Sequence, residues 1–262
     1  MSTHSHTEFP ELECHDAPVE VRDCIEAGTG GAKTLASIAG ILGLLVLVLS
    51  TMGIGLIALI IGPIVDHFTQ RRALALIHGS GLKVGPEQFP EIHECVVSFC
   101  ERLGLMNRPD IYIVEAEVMN AAAVKFGGRN VVLLTDDLIH GCLCSSNPKT
   151  LAFVLGHELA HIAAGHTGMI RAGMRQYYKK LSRLDEMTAD RVGTRLVGSR
   201  KVAAEGLVLL TVGPHLLQFV NPKSLQQQVR EVASNKQSVK AERKLTHPLL
   251  LNRVERVMRE QV

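Results

Sequence analysis

The chain has 262 residues, enough for one large domain with appendages, and its 46% hydrophobic content with only 4% aromatics leans toward membrane attachment. With 28 basic and 26 acidic residues the formal charge is +2, which excludes a general affinity for nucleic acid or other polyanions. Six cysteines (Cys14, Cys24, Cys95, Cys100, Cys142 and Cys144) form neither a CxxC pair nor a dense framework, so free thiols in a reducing compartment are expected rather than a disulfide scaffold.

In chain order, the first segment is acidic. Glu8, Glu11, Glu13, Asp16, Glu20, Asp23 and Glu26 face Arg22 alone, which reads as a mobile tail over residues 1–33, with His4, His6 and His15 functionless within it. No charged residue then occurs between Lys33 and Asp66. The uncharged stretch is far longer than the ~20 residues a membrane-crossing helix needs, and it starts too late for a cleaved leader. As one helix it would reach about 46 Å at ~1.5 Å per residue, yet two full spans would need about 40 residues and a turn. Ser50, Thr51, Gly53 and Gly55 interrupt it, so residues 34–66 read as one tilted span or a tight hairpin. Arg71 and Arg72 follow closely, placing residues 67–262 in the cytoplasm, on the inner face of the cell membrane, in either case.

Beyond Pro86 the pattern is that of a soluble domain, mainly α with a small β-sheet. Ile92, Cys95, Val96, Phe99 and Leu103 recur at helical spacing before Gly104. The runs IYIVEAEV, AAAVKF and VVLLTDDLI follow, the last two joined by Gly127 and Gly128 as a hairpin. Cys142 and Cys144 read as unpaired thiols in a loop. Asn147 with Pro148 opens a helix to about Gly165. A second helix covers about Lys180 to Val197, Val202 to Val220 reads as a broken helix packed on the domain, and SNKQSVKAERK from Ser234 as a mobile loop.

The chemistry is concentrated in LAFVLGHELAHIAAGH. His157 and His161 stand four residues apart, on one helical face, where two neutral imidazoles can share a metal at ~2.0–2.1 Å each. Glu158 is turned by ~100° from His157, able to take a proton from metal-bound water without ligating. This is the HExxH pattern. Leu151, Phe153, Val154, Leu155, Leu159 and Ile162 surround it, so the helix is a core helix in which unpaired polar groups would be costly and a metal removes the cost. A third histidine of the extended pattern would fall on Thr167, which excludes that class; His166 is one place short. A carboxylate from the next helix remains. Glu186 would face the metal and Asp190, one turn on, would hold the far nitrogen of a ligand histidine, whereas Asp185 competes but has no acidic partner four residues later.

HELAH, EMTAD and THP (Thr246 to Pro248), in this order, resemble the membrane-associated zinc metallopeptidases of the HtpX and CAAX prenyl protease type, over roughly Pro86 to the C-terminus. The resemblance implies a gluzincin-type zinc endopeptidase holding one Zn2+ per chain and acting on protein or peptide substrates, with quality control of membrane proteins favoured. It implies further that Asn120, in MNAAA, lies on the active-site edge strand and holds the substrate backbone. His247 and Arg253 resemble the pair that stands near the zinc, able to steady an oxyanion. The chain departs from that type in having no clear second membrane pair after the HExxH helix, so an intramembrane chamber is not expected. A zinc-containing membrane scaffold without catalysis is the alternative, and the base Glu158 argues against it.

Overall fold

A computed structural model describes residues 10, 12, 17–51, 54–116, 120–145 and 147–260. His4, His6, His15, Cys14 and the acids from Glu8 to Asp16 lie outside the described residues.

From residue 17 the acidic segment is not loose. Val19 and Cys24, the latter closing the short helix α1 (Val21–Cys24), are buried in the main core. The Val19 amide donates to the Arg102 carbonyl, and Arg102 Nε donates to that of Ala17. Composition suggested a solvated tail because the acids dominate it. Their charge is instead complementary to the domain: Glu26 pairs with Arg191 at 3.2 Å and with Arg256 at 2.5 Å.

The apolar segment resolves into two helices, α2 (Thr29–Ser50) and α3 (Ile54–Ser80). Helix α2 is long and apolar enough to cross a membrane. Only its base is covered: Thr29, Ala32 and Ala36 are buried, while residues 38–47 are exposed without interruption. Helix α3 passes residue 66 unbroken, so no structural boundary separates apolar segment from domain there.

The four-stranded sheet comprises β1 (Leu82–Lys83), β2 (Asp110–Val114), β3 (Ala121–Phe126) and β4 (Arg129–Thr135), in the order β1-β2-β4-β3. Strands β2 and β4 are parallel and β3 runs antiparallel to β4, with Ala123 opposite Val132. Gly127 and Gly128 both take positive φ (54° and 88°), the conformation a two-residue hairpin turn demands. Among the described residues no strand pairs with the outer side of β3, which forms an edge of the sheet.

Helix α4 (Pro90–Arg102) precedes β2 and α5 (Asp136–Cys144) follows β4. Thr135 Oγ1 caps α5 by accepting from the Leu138 amide, so Cys142 and Cys144 lie on a helix rather than in a loop. Both are free thiols, and burial pushes Cys142 up to about 11. Helix α6 (Lys149–Ala163) runs through the middle of the domain with every residue from Thr150 to Ile162 buried. Its start is held by Asn147, whose Oδ1 accepts from the Lys149 amide. Fully burying Leu151, Phe153, Leu155 and Leu159 stabilises by about 1.5–3 kcal/mol each.

Helices α7 (Met169–Tyr177) and α8 (Lys179–Val197) follow, α8 ending at Gly198 in the left-handed region. Helices α6 and α8 meet at two glycines. A Cβ on Gly156 would stand 3.3 Å from Gly193 Cα, and one on Gly193 would stand 3.2 Å from the His157 amide nitrogen.

The expected broken helix is α9 (Arg200–Val212) and α10 (Pro214–Leu217), parted at Gly213. Helices α11 (Pro222–Ser234), α12 (Lys236–Glu242) and α13 (Leu250–Arg259) complete the domain. The charged run expected to be a loop is therefore helical over α12. Asn235 explains this locally, since its Oδ1 accepts from the Gln237 and Ser238 amides and so caps a helix that composition alone disfavours.

Candidate metal centre

Helix α6 brings His157 and His161 together with their rings 4.9 Å apart and nearly perpendicular. The two Nε2 atoms are 3.2 Å apart. Glu186 arrives from α8, its Oε2 lying 3.5 Å from His157 Nε2 and its Oε1 3.4 Å from His161 Nε2. All three residues are buried, and their ligating atoms lie within 4.8 Å of one another.

The separations test the metal reading. Ligands at ~2.0–2.1 Å around a tetrahedral zinc stand about 3.3 Å from one another, close to the spacing observed. The electrostatics agree. Burial alone would depress His157, but Asp190 and Glu186 overcome it and, in the metal-free protein, push its pKa up to about 10. Burial would likewise raise Glu186, yet His157, His161 and His247 hold it well below the usual carboxylate range. In the metal-free protein a protonated His157 and Arg175, whose Nη2 donates to Glu186 Oε1 at 2.7 Å, supply the positive charge that a zinc ion would bring.

Each histidine is gripped from behind. Asp190 Oδ1 stands 2.9 Å from His157 Nδ1, close but off the line of a hydrogen bond. Arg253 holds Asp190 with Nε and Nη2, both at 2.7 Å. Arg253, expected near the zinc, lies with Nη2 3.8 Å from Oε2 of Glu186, and its paired bonds to Asp190 brace the support of His157. Asp185, the competing carboxylate, is not one of the three convergent ligand residues. It accepts from Arg171 Nε at 3.1 Å and Nη2 at 2.5 Å and lies 3.3 Å from His166 Nε2.

His166, whose spacing does not suit a third ligand, supports His161. Its Nδ1 is 2.9 Å from His161 Nδ1. Burial first, then the neighbouring His161 and arginines, lowers its pKa to about 2, so the ring is neutral. With His161 Nε2 turned to a metal, protons are consistent along the row: His161 Nδ1–H donates to His166 Nδ1, and the His166 Nε2–H faces the Asp185 carboxylate at 3.3 Å. The backbone explains the placement. Gly165 adopts φ +70° after α6, the His166 amide bonds the His161 carbonyl at 2.8 Å and the Gly165 amide bonds that of Ile162 at 3.0 Å. This Schellman turn folds His166 back over His161. The signal was the glycine one residue before a histidine at a helix end.

Glu158 is buried beside these groups and its Oε2 accepts from the Ala123 amide of β3 at 2.7 Å. A carboxylate and an open sheet edge thus meet next to the metal position. Asn120 directly precedes β3; its amide and carbonyl pair with Thr135, and its side-chain Oδ1 accepts from the Ala121 amide. His247 reaches Glu186 with Nδ1 at 3.2 Å while its side chain stays 61% exposed, so it stands at the solvent side of the centre.

No solved structure matches the chain. The profile of peptidase family M48 matches residues 86–177 and 168–261, which takes in every residue of the centre.

Proposed function

Since the chain belongs to peptidase family M48, whose members are zinc-dependent, we propose that it is a membrane-anchored zinc endopeptidase with His157, His161 and Glu186 as ligands and Glu158 as general base. The observation that carries this reading is the meeting of Glu158 with the edge-strand amide of Ala123 beside three convergent ligand atoms.

When bound, zinc polarises the scissile carbonyl and lowers the pKa of its water toward ~7. Glu158, steadied by the Ala123 amide, is the base that would take a proton from the attacking water and return it to the leaving amine. A substrate in extended form adds to the open edge of β3, with Asn120 at the strand's start to hold its backbone. His247 stands where a donor could steady the oxyanion, and Asp190 with Arg253 keeps His157 aimed. The resemblance to the HtpX type favours damaged membrane proteins as substrates. The apolar helices α2 and α3 supply the anchor, and Arg71 and Arg72 favour a cytoplasmic domain.

Purified full-length protein in detergent is expected to cleave casein, an unfolded substrate, and to stop when zinc is chelated. Glu158→Gln should retain one zinc per chain and lose cleavage. Cleavage by the Gln variant would remove Glu158 as the base. A wild type that holds zinc but leaves casein intact would favour the scaffold.

A further inference from the structure

Residues 17–28 lie on the peptidase domain, and this constrains how the apolar segment can meet a bilayer. The contacts are spread over three helices. Ala17 and Val19 bond Arg102 at the end of α4, the Glu26 amide donates to Thr188 Oγ1 on α8 at 3.0 Å, and Arg191 donates to the Cys24 carbonyl. The Glu26 carboxylate bridges Arg191 on α8 and Arg256 on α13.

The chain leaves this surface at the base of α2 and comes back to it along α3. Gln70 Oε1 accepts from the Gly127 amide in the β3–β4 turn, and Gly81 packs against Ile113 and Val114. A single span would put residues before 34 across the membrane from the domain and would break every contact of the N-terminal strap. A hairpin breaks none.

We propose that residues 37–69 enter the lipid bilayer as a helical hairpin, leaving the N-terminal strap and the peptidase domain on the same side. This rests on the anchoring reading above and decides its topology. Lipid is favoured over a protein partner by the form of the exposed surface. A partner protein covers one face of a helix, whereas residues 38–47 are exposed all round and nearly all apolar, and Ile57, Ile61, Ile64, Val65 and Phe68 are exposed on α3. Lys33, Arg71 and Arg72 are exposed at the hairpin's base, where they complement anionic headgroups. The exposed arms reach about 21 Å and 24 Å at ~1.5 Å per residue, short of a ~30 Å hydrocarbon core. The tip therefore has no need to emerge on the far side. Because Gln70 touches the β3–β4 turn, the open edge strand lies close to the membrane surface.

The test uses the full-length Glu158→Gln protein with an epitope tag at each end, synthesised cell-free in the presence of sealed phosphatidylcholine–phosphatidylglycerol vesicles. The expected result is retention after alkaline carbonate washing, with both tags removed by added protease. Retention with one tag protected overturns the hairpin and leaves the anchor standing. Release by carbonate overturns the anchor and the hairpin with it. A Leu45→Lys, Val46→Lys double variant should lower retention at least tenfold, and undiminished retention would show that α2 does not enter lipid.

Discussion

The two histidines of the metal centre are supported unequally. Behind His157 stands a single carboxylate, Asp190, fixed by Arg253 from the last helix. Behind His161 stands a neutral histidine, then Asp185, then Arg171, with Arg175 Nε 3.6 Å from Asp185. The first arrangement puts a full negative charge beside the ring and ties it to the C-terminal part of the fold. The second keeps the charge one ring away and is assembled from the turn and the two helices that follow α6. Charge at close range raises the basicity of a ligand strongly, while a neutral relay mainly fixes its tautomer and direction. Loss of the first support should therefore cost more than loss of the second.

The largest effect is expected from Asp190→Ala. It removes the charge at His157 and leaves the buried Arg253 only the more distant Glu186 at 3.8 Å, which should destabilise the metal-free protein by about 3 kcal/mol and weaken zinc binding roughly 100-fold. Denaturant melts and competitive chelator titration read the two quantities. An unchanged zinc affinity would remove Asp190 from the support of His157.

The pH dependence comes next. In the metal-free protein His157 has its pKa raised to about 10, above its unfolded value of ~6.5. Its stabilising contribution is therefore complete below about pH 6.5 and is lost as pH rises through about 10. Zinc needs His157 neutral, so the gap in Tm between zinc-bound and chelated protein should widen from pH 6.5 to 10. A constant gap would contradict the charged His157.

His166→Ala should weaken zinc binding about 10-fold, less than Asp190→Ala, with His166→Gln recovering part of the loss because its amide can still accept from His161. If the two His166 variants bind zinc as tightly as the wild type, the relay has no role at the metal. Arg171→Lys is expected to do least. It keeps the charge beside Asp185 but loses the paired geometry, costing under about 1 kcal/mol in thermal denaturation and leaving zinc affinity within about twofold.

The same contrast governs what could be read from the sequence. Glu186 and Asp190 were legible because both lie on one helix at i and i+4, a relation that needs only helical geometry. His166 was not, because its use depends on a turn that reverses the chain after α6. Arg253 was found by resemblance, but its contact with Asp190 spans 63 residues of sequence, and no local rule predicts such a meeting. The central helices, the glycine hairpin and the broken helix followed from periodicity and turn residues. The strap and α12 did not. In one case scattered apolar residues outweighed an acidic composition, and in the other a capping asparagine outweighed a charged one.

The close meeting of Gly156 and Gly193 gives the centre a vulnerability remote from its chemistry. Helices α6 and α8 behave as the jaws of a calliper, and the absence of two methyl groups sets the gauge. Widening that gauge by a few tenths of an ångström would draw Glu186 and Asp190 away from both histidines together. An alanine at Gly193 could thus silence the enzyme with all its ligands intact.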